Sequence, residues 1–132
     1  MYLIDTNIVS YWMRGDTAIL ERIKSHSPSE LALSTITLAE IGYGIEKSPH
    51  KKRERKHKIE QIRAVLQVYS FDETAAQHYA IIRSQLEKSG TPISERDTQI
   101  ASIARAHSLV VVTHNTKEFT RIARLKVEDW AS

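Results

Sequence analysis

Short aliphatic or β-branched runs alternate along this chain with longer stretches of helical period, and that alternation restricts it to few folds. Residues 2–5, 31–34, 68–71, 109–113 and 125–127 read as strands. Between them, apolar side chains recur at helical spacing, as in Ile8, Val9, Trp12 and Met13, then Ile19, Leu20 and Ile23, then Ile59, Ile62 and Leu66. The same holds for Ala75, Ala76, Tyr79, Ile82 and Leu86, and for Ile100, Ala101, Ile103 and Ala104. Strands separated by helices predict a parallel α/β sheet. The continuous run Leu109-Val110-Val111-Val112 is what a strand covered on both faces requires. At 132 residues, the expectation is one domain over residues 1–132 with no need of covalent staples.

Punctuation agrees with that pattern. Thr6 or Asn7 is placed to cap the first helix and Gly15 to stop it; Asp16 or Thr17 starts the second, which His26-Ser27-Pro28-Ser29 ends. The helix from Thr35 is expected to break at Ser48-Pro49, and Asp72 and Ser94 are placed as later caps. Gly90 occupies a helix-terminal position before the linker Thr91-Pro92, and a short helical turn is expected over residues 118–122.

Three acids break the apolar pattern. Asp5 closes the run Tyr2-Leu3-Ile4, Glu40 interrupts Ile36-Thr37-Leu38-Ala39-Glu40-Ile41, and Asp97 heads a helix whose apolar stripe it shares with Ile100, Ala101 and Ala104. A carboxylate facing a core costs several kcal/mol or takes up a proton unless a cation or hydrogen-bond donors offset it. A shared metal site accounts for three such violations together. Local capping is the competing account: Asp5 can cap the first helix, Thr37 and Glu40 have the spacing of a capping box, and Ser94 and Asp97 have it in a shorter form. In parallel sheets, ligands collect at the carboxyl ends of the strands, where Asp5 and Asn115 both fall.

With no cysteine, disulfides, thiolate zinc sites and cysteine nucleophiles are excluded, which fits a reducing cytosol. None of the six histidines forms the helical pair of a zinc site; His114, near the expected rim, reads as a solvent or substrate contact. An oxygen-only ligand set selects Mg2+ or Mn2+, whose chemistry includes phosphodiester cleavage. A carboxylate glycosidase would want more aromatic side chains than this chain offers. An aspartyl phosphatase would want an acid where Asn7 stands. No apolar stretch is long enough for a membrane span or signal-peptide core, so a soluble cytoplasmic protein is expected. The net charge of +3 conceals residues 51–58, with six basic side chains and one acidic, against thirteen basic and fifteen acidic elsewhere. That segment is either a solvated helix face or a polyanion contact.

Taken in order, Leu3-Ile4-Asp5-Thr6-Asn7-Ile8, the stretch from Ser34 through Glu40 to Gly44, Asp97-Thr98-Gln99-Ile100-Ala101 and the stretch from Val112 through Asn115 to Phe119 resemble the VapC-type toxins of the PIN-domain ribonucleases. The resemblance covers nearly the whole chain. It implies a three-layer α/β/α sandwich, Mg2+- or Mn2+-dependent endoribonuclease activity and a cognate VapB-type antitoxin; RNA such as tRNA is the expected substrate, and a homodimer is expected as well. It makes Asp5, Glu40 and Asp97 the catalytic acids, with Asp5 and Asp97 as metal ligands. Thr6 and Thr113 become supporting hydroxyls. The family's fourth acidic position falls on Asn115, an uncharged departure. Glu118 is expected to cap or to face solvent rather than replace it, and Glu95 to lie on the surface. A catalytically silent PIN-like module that binds RNA or protein through the basic segment is the alternative.

Overall fold

The computed structural model describes residues 1–131; Ser132, the last residue of the expected domain, lies outside the described residues. In chain order the elements are β1 (Tyr2–Ile4), α1 (Thr6–Met13), α2 (Thr17–Lys24), a 3-10 turn (Pro28–Glu30), β2 (Leu31–Ser34), α3 (Thr35–Lys47), α4 (Lys52–Val65), β3 (Gln67–Tyr69), α5 (Glu73–Lys88), α6 (Glu95–Ala106), β4 (Val110–Val112), α7 (Thr116–Phe119) and β5 (Val127–Glu128). The strands form one parallel sheet in the order β3-β2-β1-β4-β5. β1 is therefore central, with β2 and β4 on its two sides.

Side-chain alternation along these strands divides the interior into two cores. Leu3, Ala32 and Val111 point to one face, where Ala75, Ile82 and Leu86 of α5 and Ile100, Ala101 and Ala104 of α6 cover them. Ile4, Leu33 and Val112 point to the other, packed by Ile8, Val9, Ile19, Ile41, Ile45 and Ile62 from α1 to α4. Helices cover both faces, so the α/β/α sandwich expected from the resemblance is the architecture observed. Trp12 and Met13 of α1 are half-buried and pack against this second core.

Glycine and polar caps set the helix ends largely as expected. Gly15 at φ +79° and Gly90 at φ +69° adopt the left-handed conformation that ends α1 and α5. Asp16, Asp72 and Ser94 accept backbone N–H groups in the first turns of α2, α5 and α6. Several strand limits differ. β1 stops at Ile4 because Asp5 already caps α1, although its amide still donates to Val112 O at 2.8 Å. β4 starts at Val110 because Leu109 N closes the end of α6 by donating to Ala104 O at 2.8 Å, with Ser108 at φ 55°. β3 lies one residue earlier than expected at its start, in register with β2, and ends at Tyr69; β5 is shifted to Val127–Glu128 by its pairing with β4. The last helical turn falls on Thr116–Phe119, directly after Asn115, rather than on residues 118–122.

The break at Ser48-Pro49 is held by a device that the pattern did not announce. Arg55 donates to the carbonyls of Gly44, Ile45, Ser48 and His50, so one guanidinium satisfies the end of α3 and the loop into α4. Lys58 donates to Met13 O at 3.1 Å and pairs with Glu54, while Lys52 and Lys56 both pair with Glu46. The basic segment therefore divides: Arg55 and Lys58 tie the fold together, and among the described residues Lys51 and Arg53 have no acidic partner. Arg55→Met is expected to destabilise the protein by roughly 2 kcal/mol, the scale of hydrogen bonds from a charged donor, against at most ~0.5 kcal/mol for Lys51→Ala. Urea unfolding of the two variants beside the parent checks the difference.

Candidate active site

Asp5, Glu40 and Asp97 reach the carboxyl edge of the sheet by three routes. Asp5 leaves the end of β1, Glu40 sits in the second turn of α3 directly after β2, and Asp97 lies in the first turn of α6. Asp5 is 3% exposed. Its Oδ1 accepts the Thr6 amide at 2.8 Å and its Oδ2 accepts the Thr113 hydroxyl at 2.7 Å. Thr113 follows β4, so this bond joins the end of the central strand β1 to that of its neighbour β4 at the rim.

Glu40 is oriented from α1. Thr6 Oγ1 lies 2.6 Å from Glu40 Oε1 and 3.1 Å from Thr37 Oγ1. Thr6 has a single hydroxyl proton, which the shorter carboxylate contact takes, leaving Thr37 free to donate to Thr6. The capping-box account of Thr37 and Glu40 therefore fails. Ser34 is the cap, its hydroxyl accepts the Thr37 amide at 3.0 Å, and Glu40 points to Thr6 instead of back to its own helix. Arg96 approaches Glu40 Oε2 at 3.7 Å from solvent.

Asp97 does not close a capping box either. Its amide donates to Ser94 Oγ at 3.2 Å, but its side chain accepts Asn115 Nδ2 at 3.1 Å. A carboxylate can only accept, so the amide nitrogen of Asn115 must face it and the amide oxygen is turned elsewhere. The Asn115 backbone N–H donates to Thr113 Oγ1 at 2.9 Å. Thr113 and Asn115 thus hold two acids from one short segment after β4.

Burial and neighbouring charge act together on two of these carboxylates. Burial pushes the Asp5 carboxyl up to about 6, the bonds from Thr113 and Thr6 oppose that rise, and the charges of Asp97 and Glu40 add to it. Asp97 is also raised, by burial first and by Glu40 and Glu118 against the bonds from Ser94 and Asn115. Glu118 was expected to cap or face solvent. It is half-buried on α7, three residues beyond the neutral Asn115, and its charge adds a small share to the rise of Asp97. Glu95 instead accepts the Tyr79 hydroxyl at 2.6 Å on the exposed side of α6. Arg96, Thr37 and Glu118 were given no site role by the sequence pattern; the spacing of Glu118 from Asn115 was the available signal. Among the described residues, no three His, Asp or Glu side chains are drawn together as a preformed metal cage.

Fold and site together define a class: a parallel α/β/α domain whose central strands end beneath a coupled set of carboxylates. The chain belongs to the PIN domain family, which it matches over residues 2–125. It is 34% identical over 130 residues, 98% of each chain, to the tRNA(fMet)-specific endonuclease VapC of Shigella flexneri. It is 36% identical to Ribonuclease VapC2 of Haemophilus influenzae over 98% of this chain and 97% of that one. Its structure resembles DNA-bound VapBC from Salmonella typhimurium with a TM-score of 0.91, at 35% identity and 98% coverage of both chains. VapBC2 from Rickettsia felis, bound to a fragment of its promoter, gives a TM-score of 0.88 at 33% identity over 98% of both chains.

The raised Asp5 value fixes a pH dependence. Its carboxyl ionises near 3.8 in the unfolded chain and at about 6 in the folded one, so the stabilising contribution is full below 3.8 and is lost as pH rises through about 6. With divalent ions chelated, the parent is expected to lose on the order of 3 kcal/mol across that window from this group. Asp5→Asn should flatten the profile. Urea unfolding at a series of pH values measures it, and a parent that gains stability over the same window contradicts the assignment.

Proposed function

We propose that this chain is a divalent-metal-dependent endoribonuclease, the toxin of a toxin–antitoxin pair, acting on tRNA. One observation carries the reading: Asp5, Glu40 and Asp97 are brought to the carboxyl edge of a parallel sheet and held there by Thr113, Thr6 and Asn115. The names of its relatives, a tRNA endonuclease and a ribonuclease, support the same substrate class.

The donor set suits Mg2+ or Mn2+. These ions take oxygen ligands, and Mg2+ is commonly held by one or two carboxylates while substrate phosphate and water complete its shell. Asp5 and Asp97 would hold the ion, which offsets the burial cost that their raised ionisation reflects. When bound, such an ion supplies water of lowered pKa and neutralises a phosphodiester oxygen. The chain's own residues set the geometry. Thr113 and the Thr6 amide hold Asp5, Asn115 holds Asp97, and Thr6 holds Glu40 where its carboxylate can accept a proton from attacking water. Arg96, mostly exposed beside Glu40, is available to a substrate phosphate.

Beside the acids, a groove of about 580 Å³ runs between α1, α3 and α4, from Thr6 and Glu40 past Met13, Ile41 and Ile45 to Lys58. Its apolar floor and basic rim suit an amphipathic antitoxin segment, and the VapBC complexes among the structural relatives favour that occupant. A homodimer is part of the same reading, with Tyr43 and Ile81 as exposed apolar surface. The silent binding module is the weaker account, because it gives no reason for acids held at this cost.

Purified chain is expected to cut RNA with Mg2+ or Mn2+ and to lose all cleavage in EDTA, with sequencing of RNA ends identifying the cut. Asp97→Asn should abolish cleavage while leaving the metal-free melting temperature equal or higher, since it removes a raised carboxylate and keeps an acceptor for Asn115. Cleavage in excess chelator, or a variant that melts well below the parent yet still cuts, would reject the metal site.

RNA binding is expected to weaken with salt, each phosphate contact adding ~0.7 to the slope of log affinity against log salt. Replacing Lys51, Arg53 and Lys56 with Ala should flatten that slope evenly across sequences. An unchanged slope would make the segment a solvated face with structural ties.

A further inference from the structure

Between the two residues that hold the acids lies one that turns away from them. Thr113 bonds to Asp5 and Asn115 to Asp97, while the His114 side chain is 51% exposed at the same rim. It is nevertheless fixed from two sides. Its backbone N–H donates to Asn7 Oδ1 at 3.3 Å, and its Nδ1 lies 3.1 Å from Asp129 Oδ2, just past β5. A carboxylate accepts only, so Nδ1 carries the proton and the imidazole presents Nε2 and its ring faces outward.

Tyr11, one turn along α1 from Asn7, stands beside it. The two rings meet edge to face, with centroids 6.3 Å apart and planes at 73°, which makes a corner rather than a closed stack. The Arg14 guanidinium lies over the Tyr11 ring at 5.0 Å and extends the corner with a positive charge. The fold thus brings Arg14, Tyr11, His114 and Asp129 into one strip along the acidic rim. Single-stranded RNA is bound by this combination: bases stack on aromatic or imidazole faces and cations meet the phosphates.

We propose that His114 and Tyr11 form a clamp for one nucleobase next to the scissile phosphodiester, with Asp129 positioning the imidazole. The inference rests on the ribonuclease reading above and deepens it. On this reading the base on His114 belongs to a nucleotide flanking the cut, since Thr113 and Asn115 on either side of His114 hold Asp5 and Asp97. Recognition of this kind requires an unpaired base and no change in the charge of His114.

The test uses an RNA oligonucleotide carrying one site mapped from the ends that the parent produces, together with versions bearing an abasic ribose on either side of the cut. The parent is expected to lose about tenfold in kcat/KM at one of the two abasic positions, the scale of a single base stack. His114→Ala should lose about tenfold on intact RNA, mainly through KM, and show no further loss on the abasic substrate; His114→Phe should restore most of it. A merely structural histidine would not make the loss depend on the base. His114→Ala with parental kcat/KM, or with the parent's sensitivity to the abasic site, overturns the clamp and leaves the nuclease intact. A parent that cuts no RNA overturns the nuclease reading and the clamp with it.

Discussion

The bond from Thr113 to the buried Asp5 carboxylate is the constraint around which the rim is built. It joins the end of the central strand β1 to that of its neighbour β4, directly above the ladder bond from the Asp5 amide to Val112. Thr113 also accepts the Asn115 amide, which sets the segment that delivers Asn115 to Asp97. Donors on Asp5 lessen the cost of its burial without removing it, since its ionisation remains raised. A rigid acid that resists ionisation gains most from a nearby cation, which links the packing of the sheet to the chemistry proposed for its edge.

Around that bond, hydroxyls do the positioning. Ser34, Thr37, Thr6 and Glu40 form a line from the end of β2 into the first helix, and Thr113 and Asn115 answer it from β4. Buried polar groups of this kind fix one arrangement because any shift leaves a donor or acceptor unpaired. The outer strip of Arg14, Tyr11, His114 and Asp129 has supports of its own, Asn7 for the His114 backbone and Asp129 for its ring.

Charges elsewhere serve different ends despite similar sequence context. Arg55, in the middle of the most basic stretch, satisfies carbonyls at a helix break. Arg105, in an apolar helix, is buried and donates to His78 and to the Ala123 carbonyl, tying α6 to α5 and to the loop before β5. A positive charge count therefore overstates the surface available to a polyanion.

The alternation of strands and helices, the caps at Asp16, Asp72 and Ser94 and the left-handed glycines Gly15 and Gly90 were all readable from the sequence, because local spacing and backbone preference set them. So was the oddity of Asp5, Glu40 and Asp97, since a carboxylate in an apolar run violates a local pattern. Which acids meet was decided only by the tertiary structure. Glu40 could equally have closed a capping box with Thr37, and the local pattern did not decide that Glu118 would be half-buried on α7 while Glu95 bonds to Tyr79. The same applies to His114 and Asp129, brought together by the pairing of β4 with β5. Sequence period states which face a side chain takes, but distances between elements depend on strand order and helix packing, and those arise from the whole chain at once.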